Sequence, residues 1–368
     1  MTINNIIQKV HNFLFETSIT KFFLIIVTLA IFSNGLMFVS SSKHLFISSL
    51  DIFSNQLTET PNAMWLLSSF LGSITSYFLG IDNFKIFILF HLIVFLFGFF
   101  ALTKIIANYD DYLARVFLLF FFTMPISNIL FTWLGFTDIF TFLLGISIVL
   151  SKSKKILLFI FASLLGLSHA YQGFVIIILL NIFYFFSNRK IDYNFLITSF
   201  LGVLFGILSL KFFFHYYEFN ITDTRFGYFE KKGFMRYFLA TFSNFLPCLF
   251  SLFNLMWLVI ILVIRKLYRF NHNNIATSFI LTMILSFIII IFTLDQSRVY
   301  NLIMFPVLIA FLFELKIQNI IKKINKKIFT YIFILSIFIP NYYIWDGKIH
   351  ATSYYQIFLK TSYMLNKS

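Results

Sequence analysis

Cysteine occurs once, at Cys248, in a chain of 368 residues. No intramolecular disulfide and no cysteine-based metal cluster can form, and a buried apolar thiol is the reading that remains. Charge is equally sparse: only 11% of residues are charged, and Asp and Glu together number 14. The motifs that would announce nucleotide or metal chemistry are missing too. There is no GxxxxGK[ST] loop, GxGxxG, HExxH, CxxC pair or GxSxG, so nothing supports nucleotide-driven transport or metalloprotease chemistry. His91, His215 and His272 have no ligand spacing. No internal repeat, low-complexity linker or soluble domain is visible.

What is present is apolar. With 60% hydrophobic residues and a mean hydropathy of +0.90, the chain has far too little polar surface to coat a soluble globule and reads as an integral membrane protein. The 57 phenylalanines are lipid-facing or core filler. The net charge of +14 implies no nucleic-acid partner, because the basic residues stand in short runs between apolar stretches, where membrane orientation explains them.

A bilayer-spanning helix needs roughly 17–25 residues. That length predicts an all-α, polytopic membrane protein of about eleven transmembrane helices, near 20–40, 86–104, 116–133, 137–150, 156–169, 171–187, 195–213, 245–264, 275–294, 299–315 and 328–345. The first is read as a retained helix, since Ser-Ser-Ser-Lys follows it in place of a cleavage site. The apolar run 156–187 is divided at His169 and Gln172, because a single span of that length is too long and those polar groups need an interface or cavity. Pro125 and Pro306 interrupt the third and tenth helices.

Segment 63–80 is apolar but holds Ser68, Ser69, Ser73, Thr75 and Ser76, and follows Thr60-Pro61, a helix-start signal. It is expected as an interfacial helix within an outer loop over 41–85. The basic runs Lys152 to Lys155, Arg265 to Arg269 and Lys316 to Lys327 then all fall on the inner side. The positive-inside rule thus puts the N-terminus in the cytoplasm of a bacterial inner membrane, and the tail 346–368 outside. A second sizeable outer loop covers 214–244.

Three turns between helices carry most of the deep ionisable groups: Leu134-Gly135-Phe136-Thr137-Asp138, Ser168-His169-Ala170-Tyr171-Gln172 and Asp295-Gln296-Ser297-Arg298. Ionisable groups near the apolar layer are costly, and they count as functional-site candidates by default. Each has a plain alternative. Asp138 opens a helix and can cap it; Asp295 and Arg298 can pair with each other; His169 can be a hydrogen-bonded core imidazole. In the sharper reading Arg298 meets a phosphate with its planar fork, and His169 serves as phosphate donor or proton shuttle. Asp51 lies in the first outer loop with no helix to cap, and Glu59 is its rival. In 214–244, Arg225, Lys231, Lys232 and Arg236 alternate with Tyr216, Tyr217, Phe226, Tyr228 and Tyr237, a surface suited to a lipid phosphate or glycan and equally to an interfacial aromatic belt.

This arrangement resembles the GT-C superfamily of polyprenyl-phosphate-dependent membrane glycosyltransferases. The matching features are a first helix, a long outer loop bearing Asp51 and Glu59, then Thr60-Pro61-Asn62-Ala63-Met64-Trp65 leading to an interfacial helix. Helices with short polar turns such as Gly135-Phe136-Thr137-Asp138 and Ser168-His169-Ala170-Tyr171-Gln172 follow. The likeness covers most of the chain in topology. The chain departs from the family in having no Asp-Glu or Asp-X-Asp pair just after the first helix and no C-terminal soluble domain of the kind many relatives carry; the resemblance carries the family's catalytic acid onto Asp51, without that motif.

The resemblance implies a sugar on a polyprenyl phosphate and a glycan or lipid acceptor whose hydroxyl a carboxylate deprotonates, with inversion at the anomeric carbon. Such a base contributes about 10² to 10⁴ in rate, and cations beside the departing phosphate supply electrostatic stabilisation. Asp51 would be the base, with Arg298 and His169 near the phosphate and Asp138 and Gln172 on sugar or acceptor; Arg225 would contribute from its loop. No cofactor is implied, and a divalent cation is left open. Two other readings compete. A repeat-unit polymerase for O-antigen or capsule would use basic outer loops, whereas a flippase or small-molecule transporter would place polar groups and helix breaks at midplane depth.

Overall fold

In the computed structural model, residues 3–57, 66–219, 221, 230, 233–293, 295–345 and 348–351 are described. Glu59, the 60–65 stretch, Arg225, Lys231, Lys232 and most of the tail 346–368 lie outside them. The chain is a multi-pass helical membrane protein. Among the described residues, five helices are long and apolar enough to cross a bilayer, or up to eight if each of three bent pairs makes one span. Fewer of the about eleven expected helices pass as spans by length and composition, because several apolar stretches are broken or short.

The N-terminal stretch forms a helix α1 (Ile3–Glu16). Ile3, Ile6, Ile7, Val10, Phe13 and Leu14 recur at helical spacing while Asn4, Asn5, Gln8, Lys9 and Asn12 fill the other face, the pattern of an interfacial helix. It turns by 118° into α2 (Ile19–Asn34). The first loop is more regular than expected, since α3 (Ser40–Leu50) occupies its start. The 63–80 segment yields only α4 (Leu71–Phe78) as α-helix, too short to span.

Next come α5 (Phe84–Tyr109), α6 (Asp111–Thr123) and α7 (Pro125–Thr132). The single span expected over 116–133 is bent by 67° at its proline, which lacks an N–H and clashes with the preceding turn. Freed carbonyls at such a break need partners in lipid. Asn341 Nδ2 donates to Phe122 O at 3.2 Å, and Asn254 Nδ2 to Thr123 O at 3.4 Å. Pro306 behaves differently: the helix Gln296–Ile317 continues through it, and its ring packs on Gly145, where an added Cβ would come within 2.6 Å of Pro306 Cγ.

α8 (Asp138–Leu150) and α9 (Lys155–Ser168) are apolar but short, at 13 and 14 residues. α10 (Ala170–Asn188) and α11 (Tyr193–Tyr216) follow. α9 and α11 touch backbone to backbone. Gly202 and Gly206, four residues apart on α11, face Ala162 and the Ser163 carbonyl, and Gly166 returns the contact against Val203 O. Small residues allow this close approach, which drives helix association where lipid removes any hydrophobic gain.

α12 (Phe234–Ser243) precedes α13 (Phe245–Ser251) and α14 (Trp257–Arg269). The straight helix expected over 245–264 is instead bent by 82°, with Asn254 in a left-handed conformation at φ 46°. α15 (Asn273–Ile291) and α16 (Gln296–Ile317) complete the bundle. α16 is its axis: nearly every residue from Gln296 to Leu312 is buried, and it meets α6, α7, α8, α10 and α15. The last predicted span, 328–345, stops early: α17 (Lys326–Phe338) ends before Pro340, and β1 (Tyr342–Trp345) pairs antiparallel with β2 (Lys348–Ala351).

Helix polarity and contacts give the bundle two unlike ends. At one, Arg115 pairs with Asp111, Lys316 and Lys322 with Asp110, and Lys152 with Asp192. The basic runs of the sequence gather there. The turns bearing Asp138, His169, Asp295 and Arg298 lie at the other, at the starts of α8, α10 and α16.

Candidate functional site

Arg298 enters from the first turn of α16 and is almost wholly enclosed, with its side chain 8% exposed. Its Nε lies 3.1 Å from Asp138 Oδ2, and its Nη1 donates to Asp295 Oδ2 at 2.9 Å. The guanidinium lies over the Trp133 ring at 4.0 Å and faces Phe136 at 4.9 Å, an attraction strengthened by exclusion of water. Asp138 is fully buried in the first turn of α8, where the helix N-terminus also favours its charge. Asp295 keeps 22% of its side chain exposed. Two carboxylates thus flank one guanidinium, and the pairing of Asp295 with Arg298 anticipated from their spacing is present with a third member, Asp138.

The local backbone explains how the turns meet. Gly135 adopts φ +76°, and an added Cβ would strike Ile88 at 2.5 Å, so the chain reverses tightly between Trp133 and Thr137. Met37 N donates to Phe131 O and Leu134 N to Met37 O, tying the end of α2 to this turn. Thr137 Oγ1 donates to Ser168 O at 2.5 Å, which joins the Asp138 turn to the His169 turn. His169 is buried at the start of α10, and its Nδ1 accepts from Gln172 N at 3.3 Å. The imidazole therefore caps a helix, the plainer of its two sequence readings. Gln172 is also buried, and its Oε1 has no hydrogen-bond partner among the described residues.

Asp51 does not join this group. It follows α3 directly, and its Oδ1 accepts from Phe53 N at 3.0 Å, so the acid expected to stand in an irregular loop instead braces a turn. α3 separates it from Val39, in the cleft wall, by roughly 18 Å at a rise of 1.5 Å per residue. Its neighbour Ile52 packs with Leu57, Leu67 and Phe70 against Leu210 and Phe214 of α11. Glu59 and Arg225 fall outside the described residues.

Beside Arg298 opens a cleft of about 160 Å³, lined by Asn128, Thr132, Trp133, Tyr343, Trp345 and, from the first loop, Met37 to Val39. Several of these were missed from sequence. Ser297 Oγ accepts from Ile344 N at 2.9 Å, which draws β1 over the start of α16 and delivers Tyr343 and Trp345. The Tyr343 phenol meets the Asn128 side chain, and burial holds the phenol above its ordinary range despite that contact. Trp133 and Trp345 stand edge to face with centroids 6.2 Å apart. The available signals were Trp133 just before a polar turn and the aromatic run Tyr342-Tyr343-Ile344-Trp345.

Among the described residues no cluster of histidine, cysteine or carboxylate side chains has metal-binding geometry. Comparison with protein-family models, curated proteins and solved structures finds no match for this chain.

Proposed function

We propose that the chain is a membrane glycosyltransferase that moves a sugar from a polyprenyl-phosphate donor to a glycan or lipid-linked acceptor at the face bearing Arg298. The observation that carries this reading is the composition of the cleft. Aromatic faces at Trp133, Tyr343 and Trp345 suit the C–H faces of a sugar ring, and Asn128, Thr132 and Arg298 offer polar contacts for its hydroxyls. About 160 Å³ holds several waters, and so a small polar group more readily than a lipid tail. The positive-inside rule makes this face extracytoplasmic, where lipid-linked sugars are used.

The electrostatics divide the labour. Arg298 already faces two carboxylates, so it serves this site by fixing them and stacking on Trp133, while the donor phosphate is held elsewhere. Asp295, paired with the cleft residue Arg298, keeps solvent exposure, and in this reading it takes the role of base that the family resemblance gives to Asp51. In a deletion strain complemented with variants, Asp295→Asn and Trp133→Ala should each lower transfer to the extracytoplasmic glycan, read by mass spectrometry. For the base the drop is roughly 10²-fold or more at unchanged protein level. Loss in Asp51→Asn with full activity in Asp295→Asn returns the base to Asp51. Silence of all three variants removes the glycosyltransferase reading.

A second reading, translocation of a lipid-linked glycan, draws on one observation. The breaks in α6–α7 and α13–α14 meet at the buried amides Asn254 and Asn341, and broken helices with polar groups are how transporters build midplane sites. Movement of a labelled lipid-linked saccharide across proteoliposomes, without transfer to an acceptor, distinguishes it.

A further inference from the structure

The opposite end of the bundle holds a second cleft, of about 340 Å³, lined by Phe15, Asp110, Asp111, Tyr112, Arg115, Lys322 and Lys326. We propose that it binds the phosphate of an anionic phospholipid headgroup. The cleft is rigidly built. Arg115, buried between α1, α2 and α6, donates from Nη1 to Leu14 O at 2.8 Å, from Nη2 to Thr17 O, and from Nε to Asp111 Oδ2 at 2.7 Å. Those bonds staple the elbow between α1 and α2. α1 is thereby held across the helix ends, its Phe13 against Phe333 of α17 and His11 Nδ1 3.1 Å from Thr330 Oγ1. An amphipathic helix held this way lies at headgroup depth.

The charges do not balance within the protein. Asp111 is spent on Arg115. Asp110 accepts from Leu113 N with one oxygen and shares the other between Lys316 at 3.8 Å and Lys322 at 3.9 Å. Lys326 has no carboxylate partner among the described residues. Its ammonium stands 5.2 Å from the Phe15 ring and 5.6 Å from that of Tyr112, and these two rings stack at 5.7 Å. Lys323 and Lys327, both exposed, add to the excess. Tyr112 also lines the cleft, and its buried hydroxyl has no hydrogen-bond partner among the described residues. A phosphate ester would take that hydrogen bond, accept from Lys322 and Lys326, and leave its acyl chains along the apolar flank below α1. Basic pockets between membrane helices recognise anionic headgroups by this chemistry. A free phosphate shares the headgroup's charge but lacks the chains, so α1 at headgroup depth points to the lipid.

The test uses the purified full-length chain in mild detergent, followed by its thermal midpoint as phosphatidylglycerol, phosphatidylcholine or inorganic phosphate is titrated. Phosphatidylglycerol should raise the midpoint saturably, and phosphatidylcholine should not. Lys322→Ala with Lys326→Ala should weaken the phosphatidylglycerol response roughly 30-fold. Tyr112→Phe, which removes only the hydroxyl, should weaken it less, and Lys43→Ala with Lys85→Ala at the other end should leave it unchanged. Equal responses to the two lipids, an unaffected Lys322/Lys326 double variant, or a full response to inorganic phosphate alone would each overturn the proposal.

Discussion

Replacing Arg298 with methionine keeps much of the volume over Trp133 and removes the charge. The change takes the guanidinium away from Asp138, whose side chain is fully buried, and from Asp295, which is 22% exposed. Breaking a buried ion pair by deleting one partner costs about 3–5 kcal/mol, because an uncompensated charge is left behind. Asp138 supplies nearly all of that here, since Asp295 can recover part of its hydration. At about 1.4 kcal/mol per tenfold, the folded-to-unfolded ratio should fall roughly 10²- to 4 × 10³-fold. The double variant Asp138→Asn with Arg298→Met removes both charges and should recover most of the loss, so the two changes should be strongly non-additive. Asp295→Asn alone should cost about 1 kcal/mol or less, as befits a partly solvated pair. The assay is retention of the monodisperse folded peak on fluorescence-detected size-exclusion after graded heating. Arg298→Met as stable as the parent, or a double variant that loses the sum of the two singles, would refute the reasoning.

Gly206→Leu should abolish accumulation of the folded protein, because its side chain would be driven into the Ser163 carbonyl of α9, and overpacking of this kind costs about 1–3 kcal/mol or more; a normal size-exclusion peak would argue against the contact. Asn341→Leu removes the donor to Phe122 O and should cost about 1–3 kcal/mol for a carbonyl left without that bond, read as an earlier heating transition. Topology reporters after Ser153 and after Ile221 should read cytoplasmic and extracytoplasmic respectively, since the lysine-bearing end follows the positive-inside rule; the inverted pattern would move the Arg298 cleft to the cytoplasm and end the proposed role.

Much of the helical plan was legible in the chain. The starts of α8, α10 and α16 fall within a few residues of the expected positions, because each begins at a polar turn between apolar runs. Hydropathy could not see the breaks. Pro125 marked one, but the bend between α13 and α14 depends on Asn254 turning left-handed and reaching the backbone of α6, a tertiary contact. The hairpin after Pro340 was read as helix because aromatic and β-branched residues are also apolar, although Asp346-Gly347 between such residues is a hairpin signature. The serine-interrupted stretch of the first loop points to an amphipathic helix, yet the clearer apolar face lies over Ile3–Glu16.

Composition alone determined that this chain lives in lipid, because 60% hydrophobic residues cannot be covered by so few polar ones. The separation of charge types along the sequence likewise determined that the two ends of the bundle would differ. Which polar groups meet was decided only by the tertiary structure. Asp138, Asp295 and Arg298 became one buried constellation through the packing of α8 against α16. Asp51, expected from sequence in a loop with no helix to cap, stands directly after α3 and braces a turn. Hydropathy is a sum over single residues and survives without a fold. A cleft built from Asn128, Trp133, Tyr343 and Arg298 joins residues far apart in the chain, and only the helices' relative placement could bring them together.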